Sequence, residues 1–384
     1  MDLYLSYAED LKNTTSTEDG SLDLVDGGEN SIGESAESGS LYPADGGENP
    51  IGESVFYDVP ANSNVVDVEN DFNGDLVSAI ASASSGDTVQ LGNKVYYTDG
   101  IVIDKNIVLS GVEGSVIDGA GTGSSIVTIN SEGSGTTIQN IEITNGNNGI
   151  FGDNATNLTL QNLDINNIGV DQTIRDGQNN TGITLNKADG SQVLDSRLNN
   201  IGRKGIGIGD TSDALISNVA VENVNLDAQH AQSHDAAGVK FFNTFNTTVQ
   251  DSYFDNINAN HIWNDTTNST TIEGNTIEGV GDSFIIPDFN DNVDISGIYN
   301  EKSVDSTVRG NTADSLDEFL AYNATAFTTE SMALEDNIFS HSGVNTTDFW
   351  TNQEAEIQIA TTQNPNDANF DLFSQDYYAQ ANIG

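Results

Sequence analysis

The 384-residue chain predicts an all-β solenoid: a coil of about 22 residues per turn that pairs each strand in parallel with its equivalent one turn on. The first observation is an internal repeat. Thr137-Ile138-Gln139-Asn140-Ile141-Glu142-Ile143-Thr144-Asn145 returns 22 residues later as Thr159-Leu160-Gln161-Asn162-Leu163-Asp164-Ile165-Asn166-Asn167. From Asn140 this column continues through Asn162, Asp195, Asn218, Asp251, Gly274, Gly310 and Asp336, in steps of 22, 33, 23, 33, 23, 36 and 26. The second observation is another column, Phe151, Thr184, Gly207, Lys240, Trp263, Tyr299 and Ala321, with steps of 33, 23, 33, 23, 36 and 22. Two columns with nearly the same steps require turns of matching length, lying over one another. The third is texture: from Ile101 onward, short runs of Ile, Val, Thr and Asn alternate with Gly and Asn turns. Neither the hairpin alternation of a β-sandwich nor the Leu-x-x-Leu-x-Leu signature of a horseshoe occurs.

In chain order, residues 1–60 form an acidic low-complexity arm. Within it Asp26-Gly27-Gly28-Glu29-Asn30-Ser31-Ile32-Gly33-Glu34-Ser35 recurs almost unchanged at Asp45–Ser54, with Pro50 in place of Ser31 and a period of 19, in text too poor in large apolar residues to build a core. Such an arm can be a tail, or can dock on the coil or on a neighbouring subunit. Residues 61–384 are expected to form the solenoid. Leu76, Ala79, Ile80 and Ala83 fall at helical spacing and Gly86 ends the run, which predicts a short helix covering the open apolar end of the coil. Inside each turn, Ile, Val and Leu point to a shared core. Asn and Asp suit the corners because they tolerate left-handed backbone.

Composition bounds the partners. Lys and Arg number 11 against 59 Asp and Glu, a formal charge of -48. That field repels nucleic acid and anionic membrane, and disfavours a polyanionic glycan unless divalent cations bridge the two. It suits a salty or calcium-rich exterior and also serves solubility. Cysteine is absent, which removes disulfides and thiolate metal sites. No apolar run approaches a membrane span, and Met1–Asp10 lacks the basic and apolar regions of a Sec signal peptide. The expected setting is extracellular or cell-surface.

The segment Leu76–Leu91, the pair Ile107-Val108-Leu109-Ser110-Gly111 and Gly114–Gly119, the turns at Gly274-Asn275 and Gly310-Asn311, and the ending around Asn369-Phe370-Asp371-Leu372 resemble the right-handed parallel β-helix proteins of the pectin-lyase-like superfamily. The resemblance spans about residues 70 to 384. It implies a single-stranded right-handed parallel β-helix. That superfamily includes polysaccharide lyases, hydrolases and epimerases beside adhesins and phage tailspikes, so it implies no single chemistry.

Candidate chemistry gathers between Gly238 and Glu301. Alternation sends Val239, Ile262 and Ile298 inward, and Lys240, Trp263 and Tyr299 to the outer face, with Phe242, Asp265 and Glu301 two residues on. Trp263 and Tyr299 are expected to stack on sugar rings, with Phe242 beside them, or else to reinforce the stack. Asp265 and Glu301 fall on successive turns, roughly 5 Å apart if both side chains rise straight, near the separation of a retaining glycosidase pair. Such closeness would leave an acid beside a base. The same pair could instead be solvated, paired with lysine, or hold Ca²⁺. Lys240 could meet a substrate carboxylate, act as a base, or salt-bridge Asp265.

Longer turns enter at one corner, at 170–181, 224–237 and 280–296, and should flank the strip as lobes of a groove. They carry His234 beside Asp235, a candidate acid/base pair, and Asp282 and Asp288, candidate Ca²⁺ ligands with Asp265 and Glu301. Arg203 and Lys204 border Gly207 and Gly209, where a ligand could approach the backbone. The expected function is therefore binding, and cleavage or modification, of an extended polysaccharide. Asp265→Asn is expected to abolish turnover with little change in stability. The competing expectation is a structural or surface-assembly subunit that self-associates through the arm or the rod ends.

Overall fold

The structure, a computed structural model, describes residues 56–61, 63–170, 180–226, 236–279, 296–301, 303–314 and 337–340, with the strands Phe284–Ile285, Asn292–Val293, Glu318–Asn323, Ser331–Glu335 and Glu356–Ala360. All of them belong to one compact unit, Ser40–Gly384. Among the described residues the coil builds three parallel walls. The first wall stacks Thr88–Gln90, Val108–Ser110 and 137–139, and continues turn by turn to Glu356–Ala360. The second contains Val95–Tyr97, 116–118, 142–144, Tyr253–Ile257 and Thr312–Asp314. The third runs from Ile101–Ile103 through Thr181–Asn186, Lys204–Gly209, Ala237–Phe242, Asn260–Asp265 and Ser296–Glu301 to Glu318–Asn323.

Each wall supplies at least one apolar column to the core. Leu109, Ile138, Leu160, Val193, Ile216, Val249, Ile272 and Val308 follow one another in register and are fully buried. The second column is Ile143, Ile165, Leu198, Val221, Phe254 and Ile277; the third is Ile150, Ile183, Ile206, Val239, Ile262 and Ile298. At roughly 1.5–3 kcal/mol for each fully buried aliphatic side chain, these columns are the main stabilising term. Their period-2 spacing fixes register, because a one-residue slip would turn a whole column to water.

The corners explain the asparagines. Asn140, Asn162, Asp195, Asn218 and Asp251, between the first and second walls, all have φ between 47° and 59°, and Gly274 and Gly310 take over at 66° and 62°. Their side chains ladder along the stack: Asn162 Nδ2 donates to Asn140 Oδ1 at 2.9 Å and Asn218 Nδ2 to Asp195 Oδ1 at 2.6 Å. Tyr57 lies against this ladder. Its N–H donates to Asn140 Oδ1 at 3.1 Å, Asn140 Nδ2 donates to its carbonyl at 2.9 Å, and its hydroxyl donates to Asp195.

At the N-terminal end, helix α1 (Val68–Phe72) precedes helix α2 (Leu76–Ser82). Asp75 caps α2 by accepting from Ser78 N at 3.0 Å, and Leu76, Ala79 and Ile80 are buried, as the helical spacing predicts. Lys105 Nζ donates to the carbonyls of Ile80 and Ala81, which satisfies acceptors that α2 leaves open at its end. Helix α1 was not expected; Asp67 caps it through the N–H groups of Glu69 and Asn70.

Candidate functional site

The outer face of the third wall carries the strip that the sequence points to, in the expected register. Lys240 pairs with Trp263 and Trp263 with Tyr299; Phe242 pairs with Asp265 and Asp265 with Glu301. Val239, Ile262 and Ile298 between them face the core.

Contacts on this face differ from an open aromatic platform. Lys240 is 5% exposed and Trp263 is 6% exposed, so neither offers a surface to a sugar. The Lys240 ammonium sits over the indole, with Nζ 3.4 Å from the ring centroid, and Tyr299 tilts against the indole at 5.5 Å and 56°. The indole face that would stack on a pyranose is therefore taken by a cation. Arg203 is also buried, at 4% exposure, whereas Lys204 is partly exposed above Gly207. Among the strip aromatics Phe242 is the open one, at 50%.

Asp265 is held from both sides. Lys240 Nζ lies 3.2 Å from Oδ2, and the Thr266 hydroxyl donates to Oδ1 at 3.0 Å. Thr266 adopts φ 58°, an uncommon choice for a β-branched residue that costs on the order of 1–3 kcal/mol. Its N–H donates to the Glu301 carbonyl at 2.8 Å, so the same residue orients Asp265 and ties it to the next turn. Asp265 and Glu301 are both partly exposed on this face. Behind them the core changes character: the inward column that reads Leu185, Ile208 and Phe241 continues as Asn264 and Asn300, fully buried and joined by a 2.5 Å hydrogen bond.

Past the ends of these strands, the corner leading back to the first wall holds a groove of about 480 Å³. Its floor includes Thr244 and Thr267, and its walls include Asp210, Asn243, Thr266 and Phe245. Phe245 stands in a column with Ser212, Asn268 and Val304, and is 52% exposed. Sequence reasoning missed it. The signal was an aromatic at a corner where the flanking turns carry Ser and Asn.

A second overlooked cluster lies on the outer face of the second wall. Asp164 is 7% exposed, and burial, reinforced by Glu142 and Glu222, pushes its carboxyl up to about 6 despite a hydrogen bond from Asn166 and the nearby Arg197. Arg197 Nε meets Glu222 Oε2 at 2.7 Å, and Tyr253 donates to Glu278 at 3.1 Å. Glu142 and Asp164 occupy equivalent positions in the repeat that reveals the fold.

His234, Asp282 and Asp288 lie outside the described residues, as do the repeats of the acidic arm. Among the described residues no group of three or more His, Asp and Glu converges as metal ligands, and no helix is long and apolar enough to cross a membrane.

No protein-family profile and no curated protein matches the sequence. Solved structures do match. The pectate lyase Pel9A aligns with a TM-score of 0.52 at 13% identity, over 76% of this chain and 80% of that one. A GH87 alpha-1,3-glucanase catalytic domain in complex with nigerose aligns at 0.51 and 11%, over 84% and 70%. A GH136 lacto-N-biosidase from Eubacterium ramulus gives 0.51 and 13%, over 74% and 64%. The fold is a parallel β-helix. At these identities the likeness concerns the fold of the β-helix alone, and its chemistry has to be argued from its own side chains.

Proposed function

We propose that this β-helix is an extracellular carbohydrate-active protein that binds an extended polysaccharide along the outer face of the third wall and cleaves it at Asp265 and Glu301. The observation that carries the reading is Asp265 itself. A strained threonine and a buried lysine fix both of its oxygens, while a second carboxylate follows one rung on, about 4.8 Å along the stack. Holding a carboxylate this way costs folding free energy and organises it for a reaction. Asp265 then serves as nucleophile or base, and Glu301 delivers the proton to the leaving oxygen as the glycosidic bond breaks. Polysaccharide-degrading enzymes among the structural neighbours support the substrate class.

The test is the wild-type chain against Asp265→Asn and Glu301→Gln on a polysaccharide panel, following both reducing ends and the ultraviolet absorbance of unsaturated products. Loss of turnover by at least about a hundredfold in each variant is expected. Undiminished turnover in Asp265→Asn, or no turnover of any glycan by the wild type, overturns the reading.

A further inference from the structure

The groove beyond Asp265 has features that the strip does not supply. It adjoins the reacting position through Thr266, which lines the groove and bonds the Asp265 carboxylate. Phe245 opens half of its surface there, and Phe242, in register with Asp265, is exposed three residues earlier. Thr244, also lining the groove, is 4% exposed, yet its hydroxyl has no hydrogen-bond partner among the described residues. That hydroxyl is closed to solvent, so the polar side chains that a ligand in the groove meets are those of the exposed Asn243 and Thr266. An exposed aromatic face beside hydroxyl and amide groups matches a pyranose, which presents an apolar C–H face and a rim of hydroxyls. The groove volume of about 480 Å³ also suits one or two sugar residues.

Charge selects among sugars. Asp210 is the charged residue of the lining, no lysine or arginine lines the groove among the described residues, and the whole chain carries -48. A uronate carboxylate would meet the Asp210 carboxylate here.

We propose that this groove is a subsite for a neutral pyranose of the bound glycan, with the ring on Phe245, its hydroxyl rim toward Asn243 and Thr266, and the reacting bond toward Asp265. The proposal deepens the reading of the third wall as a glycan site. Its failure is separable from the failure of that reading, because the subsite is tested by binding and the reaction by turnover.

Calorimetric titration of the full chain with laminarihexaose, cellohexaose, mannohexaose and hexagalacturonate tests it, with Phe245→Ala, Phe245→Tyr and Thr244→Val as variants. At least one neutral hexaose should bind, and hexagalacturonate should bind more weakly than it. Phe245→Ala should weaken the neutral hexaose about tenfold while Phe245→Tyr retains it. Thr244→Val, whose hydroxyl is closed to solvent, is the control and should leave the affinity unchanged. An unchanged melting temperature for Phe245→Ala confirms that the lost binding is local. If Phe245→Ala does not shift an affinity that Asp265→Asn turnover still identifies as a glycan site, the subsite is overturned and the glycan reading stands. Preference for hexagalacturonate, or no binding of any neutral hexaose, also overturns the subsite.

Discussion

Lys240 and Asp265 meet diagonally across one rung, Nζ to Oδ2 at 3.2 Å, although their register partners are Trp263 and Phe242. Both side chains are mostly buried, so this is no solvated surface pair. Removing one partner strands the other charge, and Lys240→Met is expected to lower the unfolding free energy by about 3 kcal/mol. Asp265→Asn should cost less, because the Lys240 ammonium keeps the face of Trp263. The ion pair thus changes the expectation of an Asp265→Asn variant with unaltered stability. Urea denaturation of both single variants and the double variant checks this, and a double variant equal to the sum of the singles would remove the coupling.

Asn162 tests the corner ladder. It sits at φ 47° and donates to Asn140 at 2.9 Å, so it supplies both left-handed backbone and a rung of the ladder. Asn162→Ala loses both and should cost about 2–3 kcal/mol, whereas Asn162→Gly loses the hydrogen bond, keeps the backbone freedom, and should cost about half as much. The order of the two midpoints in thermal melts is the discriminating result. Alanine equal to or better than glycine would show that the ladder position imposes no backbone demand.

What the sequence made legible, and what it did not, follows from how each feature is encoded. The columns through Asn140 and Phe151 were readable because a parallel coil repeats its register: Phe151 recurs with Thr184 as Cα partners, and Asn140 with Asn162 as a rung of the side-chain ladder. The outward direction of Lys240, Trp263 and Tyr299 was readable from alternation against Val239, Ile262 and Ile298. Their exposure was not. Whether Trp263 is open depends on where the flexible Lys240 side chain lies, and that choice leaves no period in the sequence. Asp164 shows the same limit: alternation places it outside, yet neighbouring side chains bury it. The inward pair Asn264 and Asn300 was hidden because a polar residue at a core position reads as a break in the pattern until its partner is seen.

Tyr57, within the stretch read as the acidic arm, lies on the corner ladder. Its phenol donates to Asp195, and burial, then Asp195, pushes its pKa up to about 12. Tyr57→Phe should cost about 1 kcal/mol, while Asn140→Ala, which severs both backbone contacts to Tyr57 and its own left-handed preference, should cost more. Chemical denaturation of the two variants measures the difference. Equal and negligible losses would mean that the segment contributes nothing to holding the coil.

Asp164 predicts the pH dependence of stability. Burial raises its folded pKa to about 6 from 3.8, so between these values the folded chain binds more protons at this site than the unfolded chain. Stability therefore falls as pH rises across that window, and the whole penalty is present above about pH 6. The groups around it are Glu142 and Glu222, which oppose its ionisation, and Asn166 and Arg197, which favour it; Arg197 is already paired with Glu222. Asp164→Asn keeps the size and the acceptor for Asn166 and cannot ionise. It should match the wild type below about pH 4 and exceed it above pH 6 by at most roughly 3 kcal/mol. Urea midpoints for both proteins from pH 4 to 7 give the comparison. A difference that stays flat across that range would show that the Asp164 carboxyl titrates alike in the folded and unfolded chain.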